Sequence, residues 1–177
     1  ISDFDLAHAN LMAIDPTSSS YLQTLESEFN VENYMDYFIL QTYVQNLDWM
    51  GILWGVNNVK FWRSQQNGKW NYVLYDTDAG FGYFGADPST NFVEWTQSPL
   101  VPSQHSELFQ RNLQNESFRC NFANRYADLM NTEFIPSNFN ATVDGVSGLI
   151  NQAMPDHIDY WQLPDAYGTW VSQVEGL

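Results

Sequence analysis

The sequence predicts one mainly helical α+β domain with a single β-hairpin and about seven helices. Over most of the chain, apolar side chains recur at spacings of three and four residues, which is typical of amphipathic helices. One pair of aromatic and β-branched runs, split by a polar turn, is the exception. With 177 residues and 44% hydrophobic content, the chain can bury a real core. It has no repeat and no linker, so we expect residues 1–177 to form a single domain.

Three helices are predicted before residue 47. Residues 3–13 read as a short helix, which Pro16 and three serines then interrupt. A second helix is expected over about 20–29. The third, roughly 32–46, is apolar over nearly its whole circumference, as is typical of a helix buried in the middle of a domain. Asp48 is expected to lie at the C-terminal end of this helix.

A β-hairpin is predicted next. Residues 57–63 and 69–75 are rich in aromatic and β-branched side chains, and Asn67-Gly68 between them is a hairpin turn signal. We expect the tryptophans of these strands, Trp62 and Trp70, to pack into the core. The Gly-, Pro- and Asp-rich stretch 76–90 predicts a loop.

Helical patterns return after this loop, and prolines separate them. The predicted segments are 104–113, 116–131, 137–153, 156–162 and 166–176. The three histidines, at positions 8, 105 and 157, have no metal-ligand spacing and are expected to have structural or surface roles.

The charge balance excludes some partners. Six Lys and Arg face 21 Asp and Glu, for a formal net charge of −15, so nucleic acid and anionic lipid are repelled. A phosphate ligand would need local cations or a bound metal. No apolar run reaches the ~18 residues of a membrane span, and a single cysteine, Cys120, excludes an internal disulfide. Scarce Lys with abundant Asn, Gln, Asp and Tyr favours an extracellular or cell-surface location.

Three acids stand out as candidate functional residues. Asp48 lies among aromatic residues, and a partly desolvated carboxylate needs a partner or a function; otherwise it is a solvated or capping residue. Asp76 and Asp78 follow a strand at a spacing that points both to one face, where Mg²⁺ or Mn²⁺ would relieve their repulsion. The alternative for this pair is an Asx turn.

The order of these parts matches a known arrangement. Kinases of the protein-kinase fold place a catalytic Asp after a helix, then a metal-binding Asn, two short strands, and a metal-binding Asp followed by Gly. Asp48, Asn58, the two predicted strands, and Asp76 or Asp78 come in the same order. The gap from Asp48 to Asn58 is longer than usual, and Asn46-Leu47 replaces the usual His-Arg.

Several motifs carry a more specific resemblance. They are N-x-D-W at 46–49, NN-x-x-x-WR at 57–63, GKW-x-x-x-x-YDTD-x-GFG at 68–82, F-x-x-x-F-x-x-RY-x-DL-x-NT-x-F at 118–134 and M-x-x-HI-x-x-W at 154–161. Together they resemble the CotH kinase family, atypical kinases named for a spore-coat protein. The resemblance implies the C-terminal lobe of a kinase-like fold, with ATP, Mg²⁺ or Mn²⁺, and phosphorylation of protein Ser or Thr.

The resemblance also implies residue roles. Asp48 would accept the proton of the substrate hydroxyl, and Asn58 with Asp76 or Asp78 would hold the metal that carries the nucleotide. A kinase also needs an N-terminal lobe with a lysine for the ATP phosphates, whereas Lys60 and Lys69 both follow Asp48. The chain is therefore expected to be a C-terminal lobe that does not turn over ATP alone.

Two other functions stay open at this point. The first is a non-catalytic, kinase-like binding or structural module of a secreted or cell-surface protein. The second is a carboxylate-dyad hydrolase that uses Asp48 with Asp76.

Overall fold

The computed structural model describes residues 2–66 and 68–176 and confirms the mainly helical α+β class. The described residues contain two β-strands, a 3₁₀ helix over Asn151–Ala153 and nine α-helices, one of them a single turn. They are α1 Asp3–Met12, α2 Ser19–Glu28, α3 Val31–Tyr43, β1 Lys60–Trp62, β2 Asn71–Val73, α4 Phe92–Trp95, α5 Gln104–Gln114, α6 Glu116–Met130, α7 Pro136–Ile150, α8 Met154–Trp161 and α9 Tyr167–Glu175.

The chain divides into two compact units, Ile1–Tyr126 and Ala127–Leu177. The first contains both strands and the aromatic core. The second contains the last turn of α6 and all of α7, α8 and α9, with the 3₁₀ helix between α7 and α8. The single domain expected over residues 1–177 stays a prediction. None of the described helices is both long and apolar enough to cross a bilayer.

Local sequence signals start the main helices of the first unit. Ser2 and Asp5 form a reciprocal capping box at α1, in which the Asp5 N–H donates to Ser2 Oγ and the Ser2 N–H donates to Asp5 Oδ2. Asn30 caps α3 by accepting from the Asn33 N–H. Such caps satisfy backbone donors that a helix leaves unpaired in its first turn.

The core of the first unit is aromatic and centres on α3. Phe38 stacks on Phe109 of α5 at a ring-centroid distance of 4.4 Å and contacts Trp49 and Tyr72 at 5.3 and 5.7 Å. All four side chains are at most 3% exposed. The prediction that this helix is buried in the middle of the fold is confirmed.

The hairpin is antiparallel, with Lys60 opposite Val73 and Trp62 opposite Asn71. Both strands are shorter than predicted. Asn58 at the start of the first predicted strand is left-handed, with φ of 56°, which interrupts the extended conformation there. Asp76, just beyond the second, is also left-handed, with φ of 51°. The predicted turn residue Asn67 lies outside the described residues.

The expectation that both hairpin tryptophans pack into the core is wrong for one of them. Side chains alternate between the two faces of a strand, and Phe61 takes the inward position on β1. Trp62 is therefore on the outer face and is 55% exposed. Trp70 packs against Phe4 and Phe61 at ring-centroid distances of 5.5 and 5.2 Å.

Helix α3 ends three residues earlier than predicted. Gln45 is left-handed, with φ of 53°. The Asn46 N–H donates to the Gln41 carbonyl, and the Gln45 N–H donates to the Thr42 carbonyl. This is a Schellman motif with Gln at the position that Gly usually takes. Asp48 consequently lies in an irregular segment beyond the helix and not at its end.

In the second unit, the predicted helix 137–153 is α-helical only as far as Ile150, where α7 ends, and Asn151–Ala153 form the 3₁₀ helix. The next helix, predicted over 156–162, is α8, which begins at Met154 with Pro155 in its first turn. Proline fits a first helical turn because its missing N–H would have no partner there. Among the described residues of this unit, Met154 is the only hydrophobic residue whose side chain is buried.

Candidate functional site

Asp48 lies half-buried in the segment after α3, between two core residues. Leu47 is 3% exposed and Trp49 is fully buried. The Trp49 Nε1–H donates to Tyr37 Oη at 2.8 Å, which fixes the indole against α3. The partial desolvation that the sequence indicated for Asp48 is therefore present.

Two amides hold the Asp48 carboxylate. Asn57 Nδ2 donates to Asp48 Oδ1 at 2.9 Å. Asn58 Nδ2 donates to Asp48 Oδ2 at 3.2 Å and to the Asp48 main-chain oxygen at 3.0 Å. The loop between them folds back, with the Met50 N–H donating to the Asn57 carbonyl at 3.3 Å. The unusually long gap from Asp48 to Asn58 thus does not separate the two residues.

These contacts leave the Asn58 side-chain oxygen available. The Asn58 amide nitrogen is used by Asp48, and no donor among residues 2–66 and 68–176 contacts Asn58 Oδ1 within hydrogen-bond distance. An amide oxygen is a hard donor of the kind that Mg²⁺ prefers.

A buried amide that the sequence did not single out links the site segments. Asn46 is fully buried. Its Oδ1 accepts from the Asp48 N–H at 3.1 Å, and its Nδ2 donates to the Asp76 carbonyl at 3.1 Å and to Gln41 Oε1 at 3.0 Å. One side chain therefore joins the backbone of the proposed proton acceptor to that of a proposed metal ligand. Its place in the N-x-D-W motif was the available signal.

The segment after Asp76 packs closely along the segment before Asp48. The Leu47 N–H donates to the Ala79 carbonyl at 3.2 Å, and the Phe81 N–H donates to the Val44 carbonyl at 2.7 Å. A Cβ at Gly80 would lie 2.9 Å from the Val44 oxygen, too close for any other residue without a backbone shift. The close approach explains the glycine after the acid pair.

Asp76 and Asp78 are both exposed, and they influence each other. Desolvation raises the pKa of Asp76, and the charge of Asp78, a hydrogen bond with Asp78 and the charge of Asp48 raise it further. The strand-spacing argument for this pair was wrong, because β2 ends at Val73 and Asp76 is left-handed. A loop brings the two acids together instead.

The donor set fits a cation shared with a phosphate ligand. The described part of the chain contains no group of three or more His, Cys, Asp and Glu side chains placed to hold a metal. Mg²⁺ is usually held by one or two carboxylates together with waters and substrate phosphates. Asn58 offers an amide oxygen and Asp76 or Asp78 a carboxylate of the kind that Mg²⁺ prefers, and the choice between the two acids stays open.

Backbone strain concentrates in the same segments. Six non-glycine residues of the described chain have positive φ, and five of them lie at this site: Gln45, Met50, Asn58, Asp76 and Phe81. Asn and Asp tolerate this conformation better than Gln, Met or Phe. Such strain persists only where the surrounding structure enforces it, and it is concentrated at functional sites.

Aromatic side chains lie exposed in the neighbouring loops. Trp54 contacts Phe84 at a ring-centroid distance of 5.1 Å, and Phe84 contacts Tyr83 at 4.7 Å. Lys60 Nζ lies 5.1 Å from the centre of the Tyr75 ring.

The structure defines a protein of the mainly helical α+β class. The family described as CotH kinase protein matches residues 3–177, and the chain belongs to this family. No curated protein and no solved structure matches the chain.

Proposed function

We propose that this chain supplies the catalytic lobe for ATP- and metal-dependent phosphoryl transfer to Ser or Thr hydroxyls of proteins. One observation carries the proposal. Asp48 is bonded to Asn58, and the buried amide of Asn46 joins Asp48 to Asp76. These bonds tie the Asp76 segment to Asp48, and the three residues follow one another along the chain in the order that kinases use for the catalytic Asp, the metal-binding Asn and the metal-binding Asp.

Asp48 is the proton acceptor in this proposal. The substrate hydroxyl oxygen bonds to the γ-phosphorus, the bond to the β–γ bridging oxygen breaks, and ADP leaves as the hydroxyl proton passes to the Asp48 carboxylate. The amides of Asn57 and Asn58 orient that carboxylate. The half-buried position limits its hydration, which strengthens its contact with an incoming hydroxyl.

Asn58 Oδ1 and the carboxylate of Asp76 or Asp78 would hold the metal. When bound there, the metal would supply positive charge that offsets the negative charge developing on the transferred phosphoryl group. Desolvation raises the pKa of Asp76 most, and the charges of Asp78 and Asp48 raise it further, so a cation bound here would relieve part of that repulsion.

The lysine for the ATP phosphates is the part that this chain does not offer before Asp48. Both lysines follow Asp48, and Lys60 lies over the Tyr75 ring. We therefore expect Mg²⁺–ATP binding without efficient turnover by the 177-residue chain. Robust γ-phosphoryl transfer by this chain alone would contradict that expectation.

Thermal unfolding with and without Mg²⁺–ATP tests the proposal. We expect Mg²⁺–ATP to raise the melting temperature, and Asp76→Asn or Asp78→Asn to abolish the rise. The variant with the larger loss identifies the main metal ligand. Asp165→Asn is the matched control, because it removes one exposed acid of the second unit and should keep the shift.

Two outcomes would overturn the catalytic proposal. One is the absence of any shift at millimolar Mg²⁺–ATP, and the other is an unchanged shift in both site variants. Either would favour a non-catalytic, kinase-like binding module, in which the two amides on Asp48 stabilise a loop and have no role in turnover.

A further inference from the structure

A groove runs between α7 and α9 in the second unit. Its volume is about 260 Å³. This is slightly below the roughly 300–1,000 Å³ of small-molecule pockets, so it accommodates a few side chains. Residues that form its walls include Asp144, Ser147 and Gly148 on α7 and Trp170, Val174 and Glu175 on α9.

One wall of the groove is apolar and aromatic. Trp170 and Val174 stay partly exposed although they face the groove. Tyr167 packs on Trp170 at a ring-centroid distance of 5.5 Å, and its hydroxyl donates to Asn151 Oδ1. The Trp170 ring is thus held in place along an open apolar surface, which is the kind of surface that a partner side chain covers.

The charge of this unit has one sign. Residues 127–177 contain no Lys and no Arg, and their acids are Asp128, Glu133, Asp144, Asp156, Asp159, Asp165 and Glu175. Two of these seven, Asp144 and Glu175, line the groove and are exposed. No lysine or arginine of this unit can neutralise them.

We propose that this groove binds a short polypeptide segment that carries Lys or Arg beside apolar residues. The aliphatic stem of the cationic side chain lies along Trp170 and Val174, and its charged end reaches Asp144 and Glu175. The Trp170 face adds a cation–π contact. A second copy of this chain fits poorly, because each copy brings a net charge of −15.

The charge requirement is tested with a fluorescent peptide of about twelve alternating Lys and Leu residues, long enough to lie in such a groove. Binding to the full chain is measured by anisotropy. The double variant Asp144→Asn, Glu175→Gln should weaken binding about tenfold or more, as expected for loss of roughly one well-placed charge contact. Asp159→Asn, Asp165→Asn removes the same charge away from the groove and should change affinity less than about twofold.

The shape requirement is tested with two matched glycines of α7. A Cβ would meet nothing within 4 Å at either Gly145 or Gly148, but only Gly148 lines the groove. Gly148→Leu should abolish peptide binding and Gly145→Leu should preserve it. Leucine favours a helix more than glycine at both positions, so neither variant should lower the melting temperature.

Three results would overturn the proposal. Equal weakening by the two charge variants would show that only the general acidity of the chain attracts the peptide. Equal affinity for a peptide with Ser in place of Leu would show that the apolar wall is not used. Concentration-dependent self-association that Gly148→Leu abolishes would assign the groove to a second copy of the chain.

Discussion

Asn46 illustrates how much of this site depends on one residue that is remote from solvent. Its carboxamide bonds to the Asp48 N–H, the Asp76 carbonyl and Gln41 Oε1, and it has no exposed surface. In a buried position these bonds cannot be replaced by water when the side chain is removed. Asn46 therefore positions the site and does not itself contact the reacting groups.

Asn46→Ala should lower the free energy of unfolding by about 2–3 kcal/mol, because it leaves buried polar groups without partners. Urea denaturation monitored by circular dichroism measures this. Asn57→Ala is the control, since it removes an exposed amide from the same carboxylate and should cost at most about 1 kcal/mol. Similar losses for the two variants would contradict the role of Asn46.

His105 should make the stability of the fold depend on pH. Burial lowers its pKa from 6.5 to about 4, and the charge of His8 contributes further. Between pH 6.5 and about 4, His105 binds a proton in the unfolded chain but not in the folded chain. The free energy of unfolding therefore falls as the pH falls through this window, by about 2–3 kcal/mol between pH 7 and 4.5 for this residue.

The variant His105→Gln tests this titration, with urea denaturation at pH 7 and 4.5. Glutamine retains an acceptor for the Tyr72 hydroxyl, which lies 2.9 Å from His105 Nδ1. The pH dependence should shrink by about the stated amount. An unaltered dependence in His105→Gln would show that other groups cause it.

The sequence predicted the candidate site residues better than their setting. Asp48, Asn58 and the acid pair became candidates through their order along the chain, which motif reasoning can detect, and their roles stay a prediction. Asn46 was missed, because an asparagine near a helix end looks like any surface polar residue until its burial is known. The left-handed conformation at Asp76 depends on contacts 30 residues apart in sequence, such as the one with Asn46.

At the scale of elements, helix α3 completes the small sheet with a side chain. Asn33 Oδ1 accepts from the Tyr72 N–H at 2.7 Å, and Asn33 Nδ2 donates to the Tyr72 carbonyl at 3.1 Å. These are the two bonds that a third strand would make with β2. Asn33 thus covers the β2 edge of the hairpin without another strand, so the backbone groups of Tyr72 are not open to pairing with another chain.

Asn33→Ala should leave the Tyr72 backbone without these partners and lower the free energy of unfolding by about 1–3 kcal/mol. Asn124→Ala, at an exposed position on α6, is the control and should be neutral or slightly stabilising because alanine favours a helix. Amide hydrogen exchange at Tyr72 reports the change directly. Unchanged protection of that amide in Asn33→Ala would refute the assignment.

The elements themselves were predictable to different degrees. Helices with strong periodicity, such as α5 and α6, begin and end within a residue of expectation. The end of α3 could not be found, because Gln45 occupies a position where Gly is the usual signal. The four-residue helix α4 was missed, since a single turn carries too little periodicity to be recognised.

At the scale of the whole molecule, the buried hydrophobic side chains are unevenly divided between the two units. All but one of the buried hydrophobic side chains among the described residues lie before residue 127, and Met154 is the exception. The described side chains of α7 and α9 include none that is buried. Most of the apolar burial that stabilises the fold is therefore in the first unit.

A fragment ending at Asn131, which keeps α6 whole, should unfold in a single cooperative transition. The complementary fragment 132–177 should show no cooperative transition, because its helices have almost no core. Circular dichroism during thermal unfolding measures both. A fragment 1–131 that melts without cooperativity would show that its core is not sufficient.

The left-handed residues of the site set a limit on engineering this protein. Gln45, Met50 and Phe81 hold a conformation that glycine adopts without penalty. Replacing them with glycine would release strain, yet it would also loosen the segments that hold Asp48 and Asp76. A screen for more stable variants would select glycine at these positions, and each such increase in stability would lower the function. The site therefore keeps a defined backbone conformation and has a lower thermal stability as a result.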